Sequence, residues 1–158
     1  MKKLFGGCLL CFSLYLLTTS IYKESIMIST YYNEKTVLEK EETMRLEIPE
    51  WNFERFIKEG AVNHIDNLFA TYIPGNKNNI IIAGHDIPIV FHQLQKIQIG
   101  MDIYLKKGNK VLKYVVVDRR SVKPTEIQYM YDSPQEQLTL ITCTENNQKR
   151  LIIICVKK

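Results

Sequence analysis

The sequence predicts a mostly β domain behind an N-terminal apolar segment, and three observations carry that expectation. After Arg45 the apolar residues fall in runs of strand length, such as residues 79–83 (NIIIA), 138–143 (LTLITC) and 151–156 (LIIICV). Gly, Pro and Asn turns separate these runs, in place of long stretches with a helical period. Two pairs of runs are joined by short polar connections that read as hairpins. About seven strands and one or two short helices result, the pattern of an all-β barrel or sandwich.

Taken in order, residues 46–48 alternate and stop at Pro49, whereas residues 51–59 fit either a strand or a short helical run. Residues 72–76 (YIPGN) read as a turn, and 79–83 as a buried strand ended by Gly84. Residues 91–97 (FHQLQKI) are the candidate short helix, with Phe91 and Leu94 facing inward and Val90 and Ile97 beside them. Residues 102–106 and 110–118 flank Lys107-Gly108-Asn109, a hairpin signal; 138–143 and 151–156 flank the polar loop 144–149, a second one.

Composition narrows the class. At 158 residues there is room for one domain and an appendage. A chain that is 46% hydrophobic and 24% charged is not wholly disordered. The net charge of +4 is too small to imply a nucleic acid, and none is expected as a partner. Four cysteines, Cys8, Cys11, Cys143 and Cys155, are too few and too unevenly placed for a disulfide scaffold.

Met1-Lys2-Lys3 precedes an uncharged run at positions 4–22. At ~1.5 Å per residue that run nearly crosses a ~30 Å hydrocarbon core. The two lysines favour a cytoplasmic N-terminus with everything after Tyr22 outside. A cleaved signal peptide is the competitor, but no A-x-A-like site follows the run. The expected organisation is a single-pass membrane anchor at 1–22, an extracellular stalk at 23–44 and a β domain at 45–158. Cys8 and Cys11 fall within the anchor. Residues 23–59 hold 9 acidic and 6 basic residues, and residues from Gly60 onward hold 8 and 13, so the domain is basic and the stalk acidic.

The chemistry centres on Cys143, which ends an alternating strand and opens a polar loop. A thiol acts as nucleophile only as thiolate, so it needs a cation or base nearby. If residues 144–149 form the hairpin loop, Arg150 stands across from Cys143 on the same face, where a guanidinium can hold a thiolate and donate to an oxyanion. His85 follows a strand and Gly84, at another strand end; imidazole shuttles protons near neutral pH. His64 and His92 are weaker candidates, and no metal-ligand spacing links the histidines to the cysteines. The same parity turns Cys155 away from Cys143, beyond disulfide reach, as a core thiol.

In this order the signals resemble the sortase family, cysteine transpeptidases of Gram-positive bacteria. Matching stretches are Ile48-Pro49, Ile73-Pro74-Gly75-Asn76, residues 79–85 (NIIIAGH), Phe91-His92-Gln93-Leu94 and Gly100-Met101-Asp102. Most specific are residues 138–143 (LTLITC) with Arg150 close behind. The resemblance implies a closed eight-stranded β-barrel. It implies that Cys143 attacks a sorting signal of the LPXTG type between Thr and Gly, giving a thioester. His85 would protonate the departing amine, Arg150 would steady the oxyanion, and Thr142 would support the oxyanion side. An amine from a cell-wall precursor or another surface protein would resolve the thioester. The implied partners are LPXTG-like surface proteins and the membrane. No cofactor is expected; calcium stimulation is not readable from the residues.

Three departures bear on subclass. The loop between Cys143 and Arg150 is shorter than in many relatives. The stalk has no Asp-Pro-aromatic lid motif. The stretch between Asp118 and Leu138 is too short for the extra helix of class B enzymes, which favours a compact class A or class D type. Two rivals stand beside this reading. Caspase-like proteases also place His before Cys at a comparable spacing, but on an α/β sheet that this chain lacks; papain-like enzymes place Cys first. A non-enzymatic β module on an anchor would explain the anchor and barrel, but not why Cys143, Arg150 and His85 all sit at strand ends.

Overall fold

The computed structural model describes residues 2–40, 43–144 and 147–158, without the side chains of residues 2–11 and 40. The chain divides into two compact units, Met1–Val37 and Leu38–Lys158.

Helix α1 (Lys2–Lys40) carries on through the segment expected as a polar stalk. Between Tyr22 and Lys40 there is neither Gly nor Pro to stop it. The hydroxyls of Thr18, Thr19 and Ser25 donate to the carbonyls of Tyr15, Leu16 and Ile21, each at 2.9 Å, so these residues satisfy themselves inside the helix. Phe12, Leu14, Leu17 and Ile21 are exposed. Among the described residues no helix is long and apolar enough to cross a membrane, so the single-pass span expected at 4–22 is not borne out there. The side chains of Cys8 and Cys11, and residues Met1, Glu41 and Glu42, lie outside the described residues.

Eight strands follow: β1 (Arg45–Ile48), β2 (Phe53–Glu59), β3 (Ala70–Ile73), β4 (Asn79–Gly84), β5 (Asp102–Lys107), β6 (Lys110–Val122), β7 (Gln137–Thr144) and β8 (Lys149–Lys157). They close into a barrel in the order β1-β2-β3-β4-β7-β8-β6-β5, with β1 pairing back onto β5. Two pairings are parallel, β2 with β3 and β4 with β7; the other six are antiparallel. The mostly β class and the closed eight-stranded barrel agree with expectation.

Several boundaries move for local reasons. The ambiguity at residues 51–59 resolves into a 3₁₀ turn at Pro49–Trp51, a left-handed Asn52 (φ 50°), and then β2. Tyr72 and Ile73, expected in a turn, end strand β3, and the chain turns only at Pro74-Gly75, where φ of 128° requires glycine. The predicted short helix is a five-residue 3₁₀ turn, His92–Lys96, with Val90, Phe91, Leu94 and Ile97 all buried as anticipated. The hairpin at Gly108-Asn109 forms, and β6 runs on to Val122 past a register shift between Val116 and Asp118. The second hairpin pairs through Thr144 and Lys149, so its connection is shorter than the loop 144–149 expected from the pattern.

Alternation sorts the barrel wall. Ile48, Ile82, Phe91, Leu94, Ile103, Leu138, Leu140 and Ile153 fill the interior, each contributing on the order of 1.5–3 kcal/mol by burial. Ile73, Ile81 and Ala83 form a second cluster with Ile65, Met130 and Ile141. Strand β4 is thus covered on both faces, the physical reason that it reads as an unbroken apolar run.

Candidate active site

Two ladders position the candidate residues. In the parallel β4–β7 pair the last register partners are Gly84 and Thr142, so both strands reach the same end of the barrel and His85 and Cys143 are the next residues out. In the antiparallel β7–β8 pair, Cys143 stands directly opposite Arg150. Directly opposed side chains share a face, so the parity expected from the spacing is the one found.

His85, Cys143 and Arg150, each half-buried, border one groove of about 320 Å³. Its floor is the second cluster, through Ile73, Ala83 and Ile141, and Ile152 also lines it. One wall is the segment between β6 and β7, through Glu126, Ile127, Tyr129 and Met130; Val62 and Ile65 from the β2–β3 connection also line it. The result is an apolar trough with a thiol, an imidazole and a guanidinium at its border.

The walls are tied from beneath. Asn79, 2% exposed, donates through Nδ2 to the carbonyls of Tyr131 at 2.8 Å and Tyr129 at 3.2 Å, while its Oδ1 accepts from the Thr139 hydroxyl at 2.8 Å. Asn76 Nδ2 donates to the Met130 carbonyl at 2.8 Å. The Asn78 amide donates to Asp132 Oδ1 at 2.7 Å, and this bond above all holds the Asp132 carboxyl below the usual range. On the other wall Asp66 accepts from the amides of Leu68 and Phe69 and from Lys58 Nζ. Burial alone would raise its pKa, yet these bonds together leave it lowered.

The loop that carries His85 is held by its own backbone and by β2. The His85 carbonyl accepts from the amides of Ile87 and Phe91. Arg55 donates to the carbonyls of Val90 at 2.9 Å and Pro88 at 3.0 Å, with its guanidinium 4.2 Å from the Phe53 ring. Gly84 is required here, since a Cβ would lie 2.7 Å from both Phe91 and Val90. Arg150 donates from Nη1 to the carbonyls of Asn147 and Lys149. Thr142 borders the groove and buries its hydroxyl without a hydrogen-bond partner among the described residues. Strand alternation turns that side chain from the Cys143 face.

The weaker histidines stand apart. His64 is exposed, and His92 pairs with Asp86 at 2.8 Å. Cys155 lies in the barrel core, where burial pushes its thiol well up; Cys143 and Cys155 are both free. Among the described residues no group of three or more His, Cys, Asp and Glu could hold a metal ion. Residues invisible to pattern reading include Arg55, Asn79 and Gln95, whose Nε2 donates to the Cys143 carbonyl at 2.8 Å. The partners named for them lie 33 to 60 residues away, so no local period announces them. The NIIIA run was the one available signal, because a strand apolar on both faces must be covered on both.

Comparison with known proteins agrees with this geometry. The family model described as the sortase domain matches residues 32–158. The chain is 40% identical over 77 residues to Sortase A of Staphylococcus aureus, a match covering 45% of this chain and 37% of that one. It is 31% identical over 90 residues to Sortase A of Streptococcus agalactiae, covering 52% and 36%. These matches take in little more than a third of the relatives' own length. Among solved structures, a lid mutant of sortase A from Corynebacterium diphtheriae superposes with a TM-score of 0.66 at 22% identity, over 73% of this chain and 69% of that one. With the family model matched over most of its length and the barrel shared, this chain belongs to the sortase family.

Proposed function

We propose that the chain is a cysteine transpeptidase that cuts an LPXTG-like sorting signal between Thr and Gly and passes the acyl group to an amine. The observation that carries this reading is the cross-strand pair of Cys143 and Arg150, beside His85 at the border of an apolar groove. The Cys143 thiolate attacks the Thr carbonyl, and the electron pair of the C=O moves onto oxygen. Collapse breaks the C–N bond, and His85 in its protonated form gives its proton to the departing Gly amine. An amine, such as that of a cell-wall precursor, then attacks the thioester, returns a proton to His85 and releases the thiolate. Water in place of the amine gives hydrolysis.

Arg150 is assigned to the oxyanion. Its guanidinium carries five N–H donors in a planar fork, and among the described residues the contacts to its own loop engage Nη1 alone. Thr142 adjoins Cys143 on β7 and is assigned the supporting role on the oxyanion side by its position in the backbone, not through its hydroxyl, which is buried on the opposite face. The groove floor of branched aliphatic side chains suits an apolar residue of the signal. The segment between β6 and β7 holds only a 3₁₀ turn, Gln128–Met130, which supports a compact class A or class D type.

Residues 1–22 are proposed to attach the enzyme to the membrane, 23–44 to space it and 45–158 to form the catalytic domain outside the cell. Two lysines before an uncharged run, and apolar side chains left exposed along α1, support that placement. The proposed partners are surface proteins bearing the signal.

The test is intact-mass analysis of the 158-residue chain after incubation with a panel of LPXTG-like peptides, without and then with an amine and calcium, beside Cys143→Ala. An adduct equal to the N-terminal part of one peptide, absent from Cys143→Ala, is expected. Peptide cleavage by a folded Cys143→Ala variant would remove the mechanism. A Cys143 that forms no adduct and resists alkylation would return the chain to an anchored, non-enzymatic β module.

A further inference from the structure

Strand β7 runs past the end of its parallel neighbour. The β4–β7 register closes at Gly84 and Thr142, whereas β7 continues to Thr144. At Cys143 the register with β4 has therefore ended, just where the chain carries its candidate nucleophile. Gln95 donates there instead: its Nε2 lies 2.8 Å from the Cys143 carbonyl oxygen, a side chain standing in for a ladder partner.

Gln95 is itself held from several directions. It sits in the 3₁₀ turn His92–Lys96, which is anchored in the core by Leu94 within it and Ile97 just after it, 0% and 1% exposed. Arg119 of β6 donates through Nη2 to the Gln95 backbone carbonyl at 2.9 Å. A long flexible side chain is thus fixed at its root before it reaches across 48 residues of sequence to Cys143.

We propose that Gln95 is a positioning residue for Cys143, an inference that rests on reading Cys143 as the nucleophile. Two physical consequences follow. The peptide unit is planar and trans, so fixing the Cys143 oxygen also fixes the direction of the Thr144 N–H, and with it the departure of the loop that returns to Arg150. The Gln95 amide also sets the positive end of a dipole at the backbone of the residue that carries the thiol, and positive charge nearby favours thiolate over thiol.

The test compares Gln95→Met, which keeps the stem but has no donor, with Gln95→Lys, which restores an N–H at similar reach. In Gln95→Met, thioester formation at saturating peptide is expected to slow about tenfold with KM changed less than about twofold. The pH profile of iodoacetamide alkylation at Cys143, read by peptide mapping, is expected to move upward, with the melting temperature of the chain nearly unchanged. Gln95→Lys is expected to recover most of the rate. A Gln95→Met variant with the parent rate and profile would overturn the proposal, as would a loss shared equally by Gln95→Lys and accompanied by a fall in melting temperature. The alkylation profile needs no peptide. If the parent chain forms no adduct with any peptide, the transpeptidase reading fails while the profile still decides: a shift in Gln95→Met sustains the positioning role, and no shift removes it.

Discussion

Gly84 and Thr142 are the last partners of the parallel β4–β7 ladder, and the next residue on each strand is a candidate catalytic one, His85 and Cys143. Parallel pairing is what makes this possible, because it ends two strands far apart in sequence at the same rim of the barrel. An antiparallel pair would send them to opposite ends. Arg150 arrives by the other route, directly opposite Cys143 across an antiparallel hairpin.

The first prediction concerns that hairpin. Arg150→Lys keeps the charge and gives up the fork, so it cannot reproduce two fixed N–H donors. A loss of about 10²-fold or more in thioester formation is expected, the size seen when one oxyanion donor is removed. Single-turnover kinetics with the best peptide measure it. Near-normal rates would make Arg150 a structural residue.

Gly84→Ala is expected to destabilise the barrel. The added Cβ would meet Phe91 and Val90 at 2.7 Å, and both are fully buried, so neither has room to give way. Overpacking of this kind costs about 1–3 kcal/mol. Because Phe91 belongs to the loop that starts at His85, activity should fall further than folding alone explains. Denaturant titration beside a rate measurement on the folded fraction separates the two effects.

Asn79→Ala releases the groove wall. It leaves the Tyr129 and Tyr131 carbonyls and the Thr139 hydroxyl without their amide partner. Leaving the buried Thr139 hydroxyl without its acceptor costs about 1–3 kcal/mol, and the partly buried carbonyls cost less. Since this segment walls the groove in which the proposed signal would sit and supplies none of the three candidate catalytic side chains, KM should rise by a larger factor than kcat falls. The opposite split would show that the segment acts on chemistry.

Asp66 gives a pH dependence. Its folded pKa is lowered below the ordinary 3.8, so its contribution to stability is present above that value and is lost as pH falls through the lower folded value. Asp66→Asn cannot ionise and should lose part of the acid-limb slope of stability against pH. Chemical denaturation at a series of pH values from about 2 to 6 reads this directly. A variant with an acid limb identical to the parent would exclude Asp66 from it.

Sequence alone determined what is periodic or local. The mostly β class follows from run lengths and turns, and the inward set Val90, Phe91, Leu94 and Ile97 follows from spacing. The opposition of Cys143 and Arg150 follows because a hairpin sets its register within a few residues. The burial of Cys155 follows from the same parity. Local signals also misled: Tyr72 and Ile73 sit beside Pro74-Gly75 and look like a turn, although pairing with β4 makes them strand.

Tertiary structure decided what depends on distant pairing. Nothing near His85 in sequence says that β4 lies parallel to β7, a strand far along the chain, and so nothing local unites His85 with Cys143. The same holds for Asn79 clasping the Tyr129–Tyr131 backbone and for Gln95 completing the edge of β7. These are single hydrogen bonds between side chains and remote carbonyls. They have no sequence period, because the closure of the barrel, and not the composition of either segment, brings the two ends together.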